Sequence, residues 1–307
     1  MNHSGNEFQS FIKAVGTGPK GNRDLSFEES KKAMGLMLSG AVSEAQMAAF
    51  LIGWRLKPET IEEYQGALEA MNELTALENV EGETFELGFP YDGKNDAPYL
   101  FTLTSQLLRP FSLTLVSGGD EKVPSKDGVT VKNLMQRLGP VDNFLYQDRK
   151  EFLPQLSSLT ALRNEIGLRT AFNTLEKFSG RARSSFGATG VFHKPYVQKY
   201  NGIFDKKMKG LALFSGNEGA PELYKKGRVY IKRQGELEEL TIDPADYGIH
   251  LPARETAWSV AEMESLARGP DMNHMKLAAL NAALYLYTAQ RSEKWQDTYE
   301  IILGGYL

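Results

Sequence analysis

The sequence lacks cysteine, which excludes disulfides, thiolate nucleophiles and metal sites with cysteine ligands in this chain of 307 residues. It also lacks a long apolar run. Residues 1–9 have no signal-peptide core, and the most apolar helical stretch, residues 277–289, is too short to span a bilayer. The four histidines are His3, His193, His250 and His274, and no two of them have the sequence spacing of metal ligands. These absences lead us to expect a cytoplasmic protein without a membrane segment.

Positive charge is scarce in most of the chain and concentrated in one segment. The formal net charge is −4, yet residues 177–233 hold 13 Lys and Arg against three acidic residues. The rest of the chain carries 22 of the 35 basic and 36 of the 39 acidic side chains. Such a segment either concentrates a positive field for a polyanion or forms a solvated basic face. We call residues 177–233 the basic window.

The first 77 residues are typical of a small helical bundle. Four apolar residues have the spacing of one helical face: Phe8, Phe11, Ile12 and Val15. Three capping boxes then pair Ser26 with Glu29, Ser43 with Gln46 and Thr60 with Glu63. Each box predicts the start of a helix. Gly40 predicts the end of the first of these helices, and Lys57-Pro58 separates the second from the third.

After Gly82 the pattern changes to strands that alternate with helices. Strands are predicted at residues 84–89, 111–117, 210–214, 228–232 and 238–242. Helices are predicted at residues 129–138, 153–166 and 271–287. This alternation indicates a largely parallel sheet that is covered on its faces.

One glycine-rich motif has the wrong surroundings for its usual function. Gly16-Thr17-Gly18-Pro19-Lys20-Gly21 satisfies the dinucleotide-binding pattern, which requires a strand before it and a helix that starts within it. Here a helix precedes the motif, and the next capped helix starts only at Ser26. We interpret the motif as a flexible loop between helices.

Several segments resemble the anthranilate phosphoribosyltransferase family. In the N-terminal part they are Arg23-Asp24-Leu25-Ser26, Leu38-Ser39-Gly40 and Gln46-Met47-Ala48-Ala49-Phe50-Leu51. Further along they are Arg163-Asn164-Glu165-Ile166-Gly167-Leu168-Arg169-Thr170, Phe172-Asn173, Thr241-Ile242-Asp243-Pro244-Ala245-Asp246-Tyr247-Gly248 and Asn281-Ala282-Ala283. The resemblance therefore covers nearly the whole chain.

This resemblance implies an α/β fold of the nucleoside phosphorylase and phosphoribosyltransferase type. It implies a small helical domain at residues 1–80, joined by helices from about 163–185, and a larger α/β domain at residues 81–307 with a mostly parallel central sheet. It also implies a homodimer through the N-terminal helices and a substrate cleft between the two domains.

The loop that holds diphosphate in this family is altered here. The family uses a glycine-rich loop after the first strand of the α/β domain, because glycine lets backbone N–H groups approach phosphate closely. This chain has Leu87-Gly88-Phe89-Pro90-Tyr91-Asp92-Gly93 instead, in which Phe89 and Tyr91 add bulk and Pro90 has no N–H. We therefore expect no diphosphate cradle and no anthranilate phosphoribosyl transfer.

Three other family positions depart in the same direction. The Asn-x-Ser-Thr phosphate motif falls at residues 100–105, which contain no Asn. The Lys-His-Gly-Asn element falls near Ser117-Gly118-Gly119-Asp120, where the carboxylate of Asp120 repels phosphate. The paired Asp-Glu that holds magnesium falls at Pro221-Glu222, so only Glu222 is left as a ligand.

Two cations keep a transferase interpretation open. Arg163 matches the family's anthranilate-side arginine, and Ser125-Lys126 lies where the family contacts phosphate. They fit a helix-surface cation and a polar turn equally well. In this alternative the chain is a phosphoribosyl or glycosyl transferase with an altered diphosphate loop, which uses Arg163 and Lys126 for substrate and Glu222 for magnesium.

Within the family the sequence is most similar to the nucleic-acid-binding YbiB-type branch. That branch is indicated by Tyr91-Asp92-Gly93, Pro98-Tyr99 and the turn Ser215-Gly216-Asn217-Glu218-Gly219. The cations predicted to bind nucleic acid are Arg181, Arg183, Lys206, Lys207, Lys209, Lys225, Lys226, Arg228, Lys232 and Arg233. Seven aromatic residues lie among them, and we expect most of these in the core: Phe186, Phe192, Tyr196, Tyr200, Phe204, Tyr224 and Tyr230.

The main functional prediction is a homodimer that binds single-stranded DNA or RNA with little sequence preference and uses no cofactor. Cations supply salt-dependent contacts to phosphate, and aromatic rings stack on bases of any sequence. The altered transferase, with magnesium as its cofactor, is the alternative. An assembly or scaffold role is compatible with the sequence, but nothing specific supports it.

Overall fold

The computed structural model describes residues 3–180 and 182–306, so Arg181 lies outside the described residues. The chain begins with α1 His3–Gly16, α2 Phe27–Leu38, α3 Glu44–Leu56 and α4 Ile61–Leu74. The capping boxes at Ser26, Ser43 and Thr60 are all formed, with the side chain and backbone of each cap residue bonded to the third residue of the helix. The three predicted helix starts are therefore confirmed.

The other helices and the strands follow after residue 82. The helices are α5 Phe101–Leu108, α6 Val131–Leu138, α7 Arg149–Phe152, α8 Pro154–Ser158, α9 Thr160–Ile166, α10 Phe172–Leu175, α11 Pro195–Phe204, α12 Val260–Arg268, α13 Met272–Thr288 and α14 Trp295–Tyr306. Short 3-10 helices cover Arg109–Phe111, Glu176–Phe178 and Pro244–Tyr247. The strands are β1 Glu83–Gly88, β2 Leu113–Gly119, β3 Phe144–Asp148, β4 Phe186–Val191, β5 Gly210–Ser215, β6 Gly227–Arg233 and β7 Glu236–Ile242.

The strands form one sheet with the order β3-β2-β1-β4-β5-β6-β7. The first five strands in this order are parallel, whereas β6 and β7 are antiparallel additions at one side. We call the edge where the parallel strands end the carboxyl edge, and the edge where they begin the amino edge. A helical domain beside a mostly parallel sheet confirms the predicted fold class.

Helices cover both faces of the sheet. Successive side chains of a strand point to opposite faces. In β5, Ala212 and Phe214 belong to a core that includes buried residues of α5, α13 and α14. Leu211 and Leu213 belong to a second core, built from α1–α4, α8–α11 and the loops between them. The N-terminal helices and the sheet therefore share a core, and the space between them opens at the carboxyl edge.

Strands β3 and β4 were not predicted. The sequence of β4 is Phe-Gly-Ala-Thr-Gly-Val, and glycine weakens a strand pattern. Close backbone approaches require both glycines. A Cβ atom on Gly187 would lie 2.7 Å from Glu86 O, and one on Gly190 would lie 2.1 Å from the carbonyl carbon of Gly219. The packing that fixes β4 is thus the reason that its sequence does not look like a strand.

The single helix predicted at residues 153–166 is wrong, because the segment forms α8 and α9 with a break at Leu159. Pro154 occupies the first turn of α8, and Leu159 leaves helical geometry with ψ 1°. Leu156, Leu159 and Leu162 are all buried, so the apolar stripe continues across the break and hides it from a periodicity argument. The Gly16–Gly21 motif begins at the last residue of α1 and continues into the connection to α2, and no strand precedes it in the described residues.

Candidate ligand-binding cleft

A cleft of about 480 Å³ lies at the carboxyl edge between the sheet and the N-terminal helices. Four parts of the chain line it: the α3–α4 connection, the loop after β1, the segment from Arg169 to Lys177, and the segment from Val191 to Tyr200. Crevices at the carboxyl ends of parallel strands are the usual ligand sites of open α/β sheets. The cleft is therefore the first candidate for a functional site.

Two aromatic rings are exposed at the opening of this cleft. Phe192 is 48% exposed and Tyr196 is 42% exposed, whereas most large apolar side chains of the chain are buried. The guanidinium carbon of Arg169 lies 4.9 Å from the centre of the Phe192 ring, and Lys126 Nζ lies 5.7 Å from it. Lys199 Nζ lies 5.5 Å from the centre of the Tyr196 ring. We call these five residues the cleft mouth.

The chain places the rings there for local reasons. β4 ends at Val191, and α11 starts at Pro195, which fits the first turn of a helix because it has no N–H to leave unpaired. Phe192 falls in this short connection, directly after a buried strand. A Cβ atom on Gly219 would lie 2.8 Å from the Phe192 ring, so that glycine leaves room for the ring against the neighbouring loop.

Lys177 forms part of the floor of the cleft. Its side chain is buried, and Nζ donates to Gly190 O at 3.0 Å and to Gly219 O at 3.4 Å. Burial, helped by the charge of Arg169, lowers the pKa of Lys177 to about 7. Perturbed groups of this kind in a cleft are common at functional sites. The amine therefore changes charge near neutral pH.

The loop after β1 is filled by its own side chains. Phe89 packs against Tyr99 with ring centres 4.9 Å apart, and Tyr91 packs against Arg149, whose guanidinium carbon lies 4.5 Å from the ring centre. Both rings are buried, and Asp92 accepts from Arg169 Nε at 3.2 Å. The bulk seen in the sequence thus occupies the space above the carboxyl end of β1.

Glu222 does not fit a magnesium site. Its side chain is fully buried, where Oε2 accepts from Lys94 Nζ at 2.8 Å and Oε1 accepts from the Leu100 N–H at 2.9 Å. Both oxygens are occupied, and the ammonium group takes the place that a cation needs. Among the described residues, no group of three or more His, Asp and Glu side chains could hold a metal ion. The magnesium role considered for Glu222 is therefore corrected to one half of a buried ion pair.

Comparison with known proteins places this architecture in a family. Residues 9–75 match the helical bundle domain of a glycosyl transferase family, and residues 128–303 match the a/b domain of that family. The chain belongs to this glycosyl transferase family. An uncharacterized protein of Aquifex aeolicus is 30% identical over 231 residues, which are 75% of this chain and 74% of the relative. The anthranilate phosphoribosyltransferase of Streptomyces avermitilis is 29% identical over 75% of this chain and 69% of its own length.

Solved structures agree with this assignment at the level of the fold. Anthranilate phosphoribosyltransferase from Thermus thermophilus superposes with a TM-score of 0.77 at 19% identity, over 98% of this chain and 93% of that chain. The Saccharomyces cerevisiae enzyme in complex with PRPP and Mg gives a TM-score of 0.77 at 14% identity, over 97% and 92% of the two chains. The resemblance to anthranilate phosphoribosyltransferases is confirmed. The YbiB-type branch stays a prediction.

Arg163 does not reach the cleft in this glycosyl transferase family member. It is 1% exposed and makes two hydrogen bonds to Glu176, of 2.6 and 3.0 Å. Arg149 binds the same carboxylate and also Asp120, at 2.7 Å, so that four buried charges compensate one another. Arg169, which lies in the same motif six residues later, does line the cleft. Its place in the motif was the signal that the sequence offered for it.

The basic window divides between opposite edges of the sheet. Because β4 and β5 are parallel, residues just before them lie at the amino edge, and β6 runs back to that edge. The amino edge therefore receives Arg183, Lys206, Lys207, Lys209, Lys232 and Arg233. Lys225, Lys226 and Arg228 lie at the other end of β5 and β6. The cations do not form one continuous surface along the window.

Several of these cations are also paired with carboxylates. Lys207 Nζ binds Glu86 at 3.1 Å, Lys226 binds Asp243 at 3.2 Å, and Arg228 lies 3.4 Å from Glu239. Lys232 is paired with Asp205, and Arg233 with Glu293. Within the described part of the chain, Arg183, Lys206, Lys209 and Lys225 carry no ion pair. Much of the positive charge counted in the sequence is thus compensated by the carboxylates with which these cations are paired.

Most aromatic residues of the window are in the core, as expected. Phe186, Tyr200, Phe204 and Tyr230 are buried and Tyr224 is half-buried. Phe192 and Tyr196 are the exceptions, and both lie at the cleft mouth. The exposed aromatic residues of the window therefore lie at the opposite edge from three of its unpaired cations, Arg183, Lys206 and Lys209, whereas Lys225 lies at the same edge as the rings.

Proposed function

We propose that this chain, although it belongs to a glycosyl transferase family, is a binding protein. Its ligand is single-stranded nucleic acid, which binds at the cleft mouth. The observation that carries the proposal is the exposure of Phe192 and Tyr196 beside cations at a cleft. Bases stack on exposed rings whatever their sequence, and guanidinium groups add to that stacking. The ligand is then an unpaired base with its phosphate, and the natural strand can be DNA or RNA.

The charges at the mouth support modest phosphate binding. Arg55 is exposed at the cleft, and Lys194 is exposed next to Phe192, although Glu239 lies 2.9 Å from the Lys194 amine. Lys126, Arg169 and Lys199 each have a carboxylate partner. Each single-strand phosphate contact adds about −0.7 to the slope of log affinity against log salt. Two or three contacts therefore predict a slope of roughly −2.

A second candidate function is phosphoribosyl or glycosyl transfer at the same cleft. Family membership supports it, since relatives over most of the chain are named anthranilate phosphoribosyltransferase. Two features disfavour transfer from phosphoribosyl diphosphate with magnesium. The loop after β1 is filled by its own side chains, and Glu222 is paired with Lys94. A transferase of this chain would need another way to hold a diphosphate.

One experiment separates the two candidates. Fluorescence anisotropy of a labelled single-stranded oligonucleotide is measured at two salt concentrations, with and without phosphoribosyl diphosphate. The binding proposal predicts salt-dependent binding that phosphoribosyl diphosphate displaces only at high concentration. Lack of oligonucleotide binding at low salt would contradict it.

The transferase candidate is tested directly by following the fluorescence of anthranilate. With anthranilate, phosphoribosyl diphosphate and magnesium, we expect no enzymatic consumption of anthranilate. Turnover at about 1 per second or faster lies in the ordinary range of enzymes and would establish the transferase instead.

The N-terminal helices are also proposed to form a homodimer. Four large apolar side chains are exposed at the ends of α3 and α4 or just after them: Leu56, Ile61, Leu74 and Leu77. Light scattering is expected to give about twice the chain mass of 34.2 kDa. A strict monomer at micromolar concentration would contradict the dimer without affecting the proposed cleft.

A further inference from the structure

Beside the cleft mouth, three backbone N–H groups donate hydrogen bonds to the carboxylate of one side chain, Glu218. The N–H groups of Asn95, Asp96 and Ala97 all point at the side chain of Glu218, at distances of 2.9, 2.8 and 3.3 Å. These donors are consecutive along the chain, and Glu218 is more than 120 residues away in sequence. Successive N–H groups of this kind form a concave nest that binds anions.

A lysine completes the set of donors. Lys126 Nζ lies 3.2 Å from Glu218 Oε1 and 3.3 Å from Glu218 O. Its side chain is 26% exposed, whereas that of Glu218 is 6% exposed. Burial alone would raise the pKa of Glu218, but the Asn95 and Asp96 N–H groups and Lys126 lower it on balance. The site is thus built for a negative charge and lies within reach of water through Lys126.

The turn that carries Glu218 has unusual backbone geometry. Gly216, Glu218 and Gly219 have φ angles of +90°, +52° and +79°. Glycine adopts such angles freely, but a residue with a side chain is disfavoured there. Glu218 is therefore held in a left-handed conformation between two glycines that adopt such angles without steric cost. The contacts of its carboxylate compensate for the unfavourable backbone.

We propose that residues 95–97 and Lys126 form a phosphate-binding site that Glu218 occupies in the free protein. A phosphate has three or more oxygens for the three N–H groups and the ammonium group, and it needs no metal for these contacts. When Glu218 leaves, the same donors bind the phosphoryl group of a ligand. The exposed carboxylate of Asp96 is the adverse charge at this site, and it favours a singly charged phosphate over a diphosphate.

The position of the site connects it to the cleft. Lys126 also lies over the Phe192 ring, and a Cβ atom on Gly219, next to Glu218, would touch that ring. A ligand whose base lies on Phe192 therefore has a phosphate-sized site beside it. The inference is independent of oligonucleotide binding, because inorganic phosphate alone is enough to test it.

The test is a calorimetric and thermal titration of the full chain with inorganic phosphate. Wild-type protein, Glu218→Ala and the double variant Glu218→Ala with Lys126→Ala are compared. A site that is open only a small fraction of the time has its apparent affinity reduced by that fraction. If Glu218 keeps the nest closed more than nine-tenths of the time, Glu218→Ala binds phosphate about tenfold more tightly than wild type or better. The double variant is expected to lose this gain.

Glu239→Ala is the matched control. Glu239 also lies between two cations, Lys194 and Arg228, but among the described residues no backbone N–H donates to its carboxylate. If phosphate binds Glu239→Ala and Glu218→Ala equally well, the effect is general charge compensation and the proposal fails. It fails too if Glu218→Ala melts at a lower temperature and phosphate does not restore it. Should Glu218→Ala not fold, Glu218→Gln keeps the side-chain length, removes the charge and enters the same titration with the same two outcomes.

Discussion

The carboxyl edge of the sheet differs sharply between the end of β1 and the end of β4. After β1, rings and a buried ion pair fill the edge, and the loop offers little room to a ligand. After β4, two rings remain exposed around a cleft of about 480 Å³, together with the exposed cations Arg55 and Lys194. The chain therefore retains the fold of the family. The part of the carboxyl edge that is open to a ligand lies beside α11. Similarity of fold alone does not locate the site.

The amino edge provides a second contrast. It holds the unpaired cations Lys206 and Lys209, but the aromatic residues nearest to them in sequence, Phe204 and Phe214, are buried. The ring closest to Lys206 Nζ is that of Phe27, 5.9 Å away and half-buried. A patch of cations without exposed rings attracts any polyanion weakly, whereas an exposed ring beside cations holds a base in a defined place. The following variants test these differences between parts of the sheet.

The largest effect is expected on stability at the closed end of β1. In Lys94→Ala, the carboxylate of Glu222 loses its ammonium partner in a site with no access to water. Removal of one partner from a buried pair costs about 3–5 kcal/mol, whereas an exposed pair contributes about 0–1 kcal/mol. Chemical denaturation should show this loss for Lys94→Ala but not for Lys226→Ala, which breaks the exposed pair with Asp243. Equal stability of the two variants would show that the end of β1 is not held by its ion pair.

An intermediate effect is expected from pH at the floor of the open cleft. The pKa of Lys177 is about 7 in the folded chain, below its value of about 10.4 when unfolded. Between these values the unfolded chain holds a proton that the folded chain has lost, so this group makes the free energy of unfolding rise with pH from about 7. The rise is measured up to pH 9, below the range in which buried tyrosines oppose it.

Lys177→Met is expected to remove this rise, since no proton is then exchanged at the position. Lys225→Met, at an exposed lysine outside the cleft, should retain it. A rise of equal size in both variants would show that the cleft floor does not hold a neutral amine.

The smallest effect is expected at the amino edge. Replacement of Lys206 and Lys209 by Glu should change the slope of log oligonucleotide affinity against log salt by less than one phosphate contact, or about 0.7. Lys207 is left in place because its ammonium group bonds to Glu86 and to Phe178 O. A loss of two contacts or more in the slope would place the footprint at the amino edge, as the charge count of the sequence alone suggested.

Local features of the sequence predicted much of this fold. Ser26, Ser43 and Thr60 formed the expected caps, because a capping box involves residues only three positions apart. The five predicted strands, β1, β2, β5, β6 and β7, were found within a few positions, whereas β3 was missed although it contains Phe144 and Tyr146. β4 was missed because close backbone packing demands glycine at Gly187 and Gly190.

The candidate site was much less predictable. The Lys94–Glu222 pair joins residues 128 positions apart, so no local sequence pattern predicts it. The edge at which each cation of the basic window lies depends on the order and direction of the strands, which charge counting does not include. Phe192 differs from its buried neighbours only because it falls in the connection after β4. Tertiary contacts, and not residue types, decide these points.

The most direct test of the account is oligonucleotide affinity after removal of the two rings at the cleft mouth. Base stacking on a ring contributes about 1–3 kcal/mol, so Phe192→Ala and Tyr196→Ala together should weaken single-strand binding by about tenfold or more. Ile301→Ala, at an apolar side chain of α14 that is 65% exposed, controls for the loss of surface bulk. We expect a large loss of affinity for the ring variant, none for Ile301→Ala and only a small one for the Lys206 and Lys209 reversal. Wild-type affinity in the ring variant, with the loss appearing in the lysine variant instead, would contradict it.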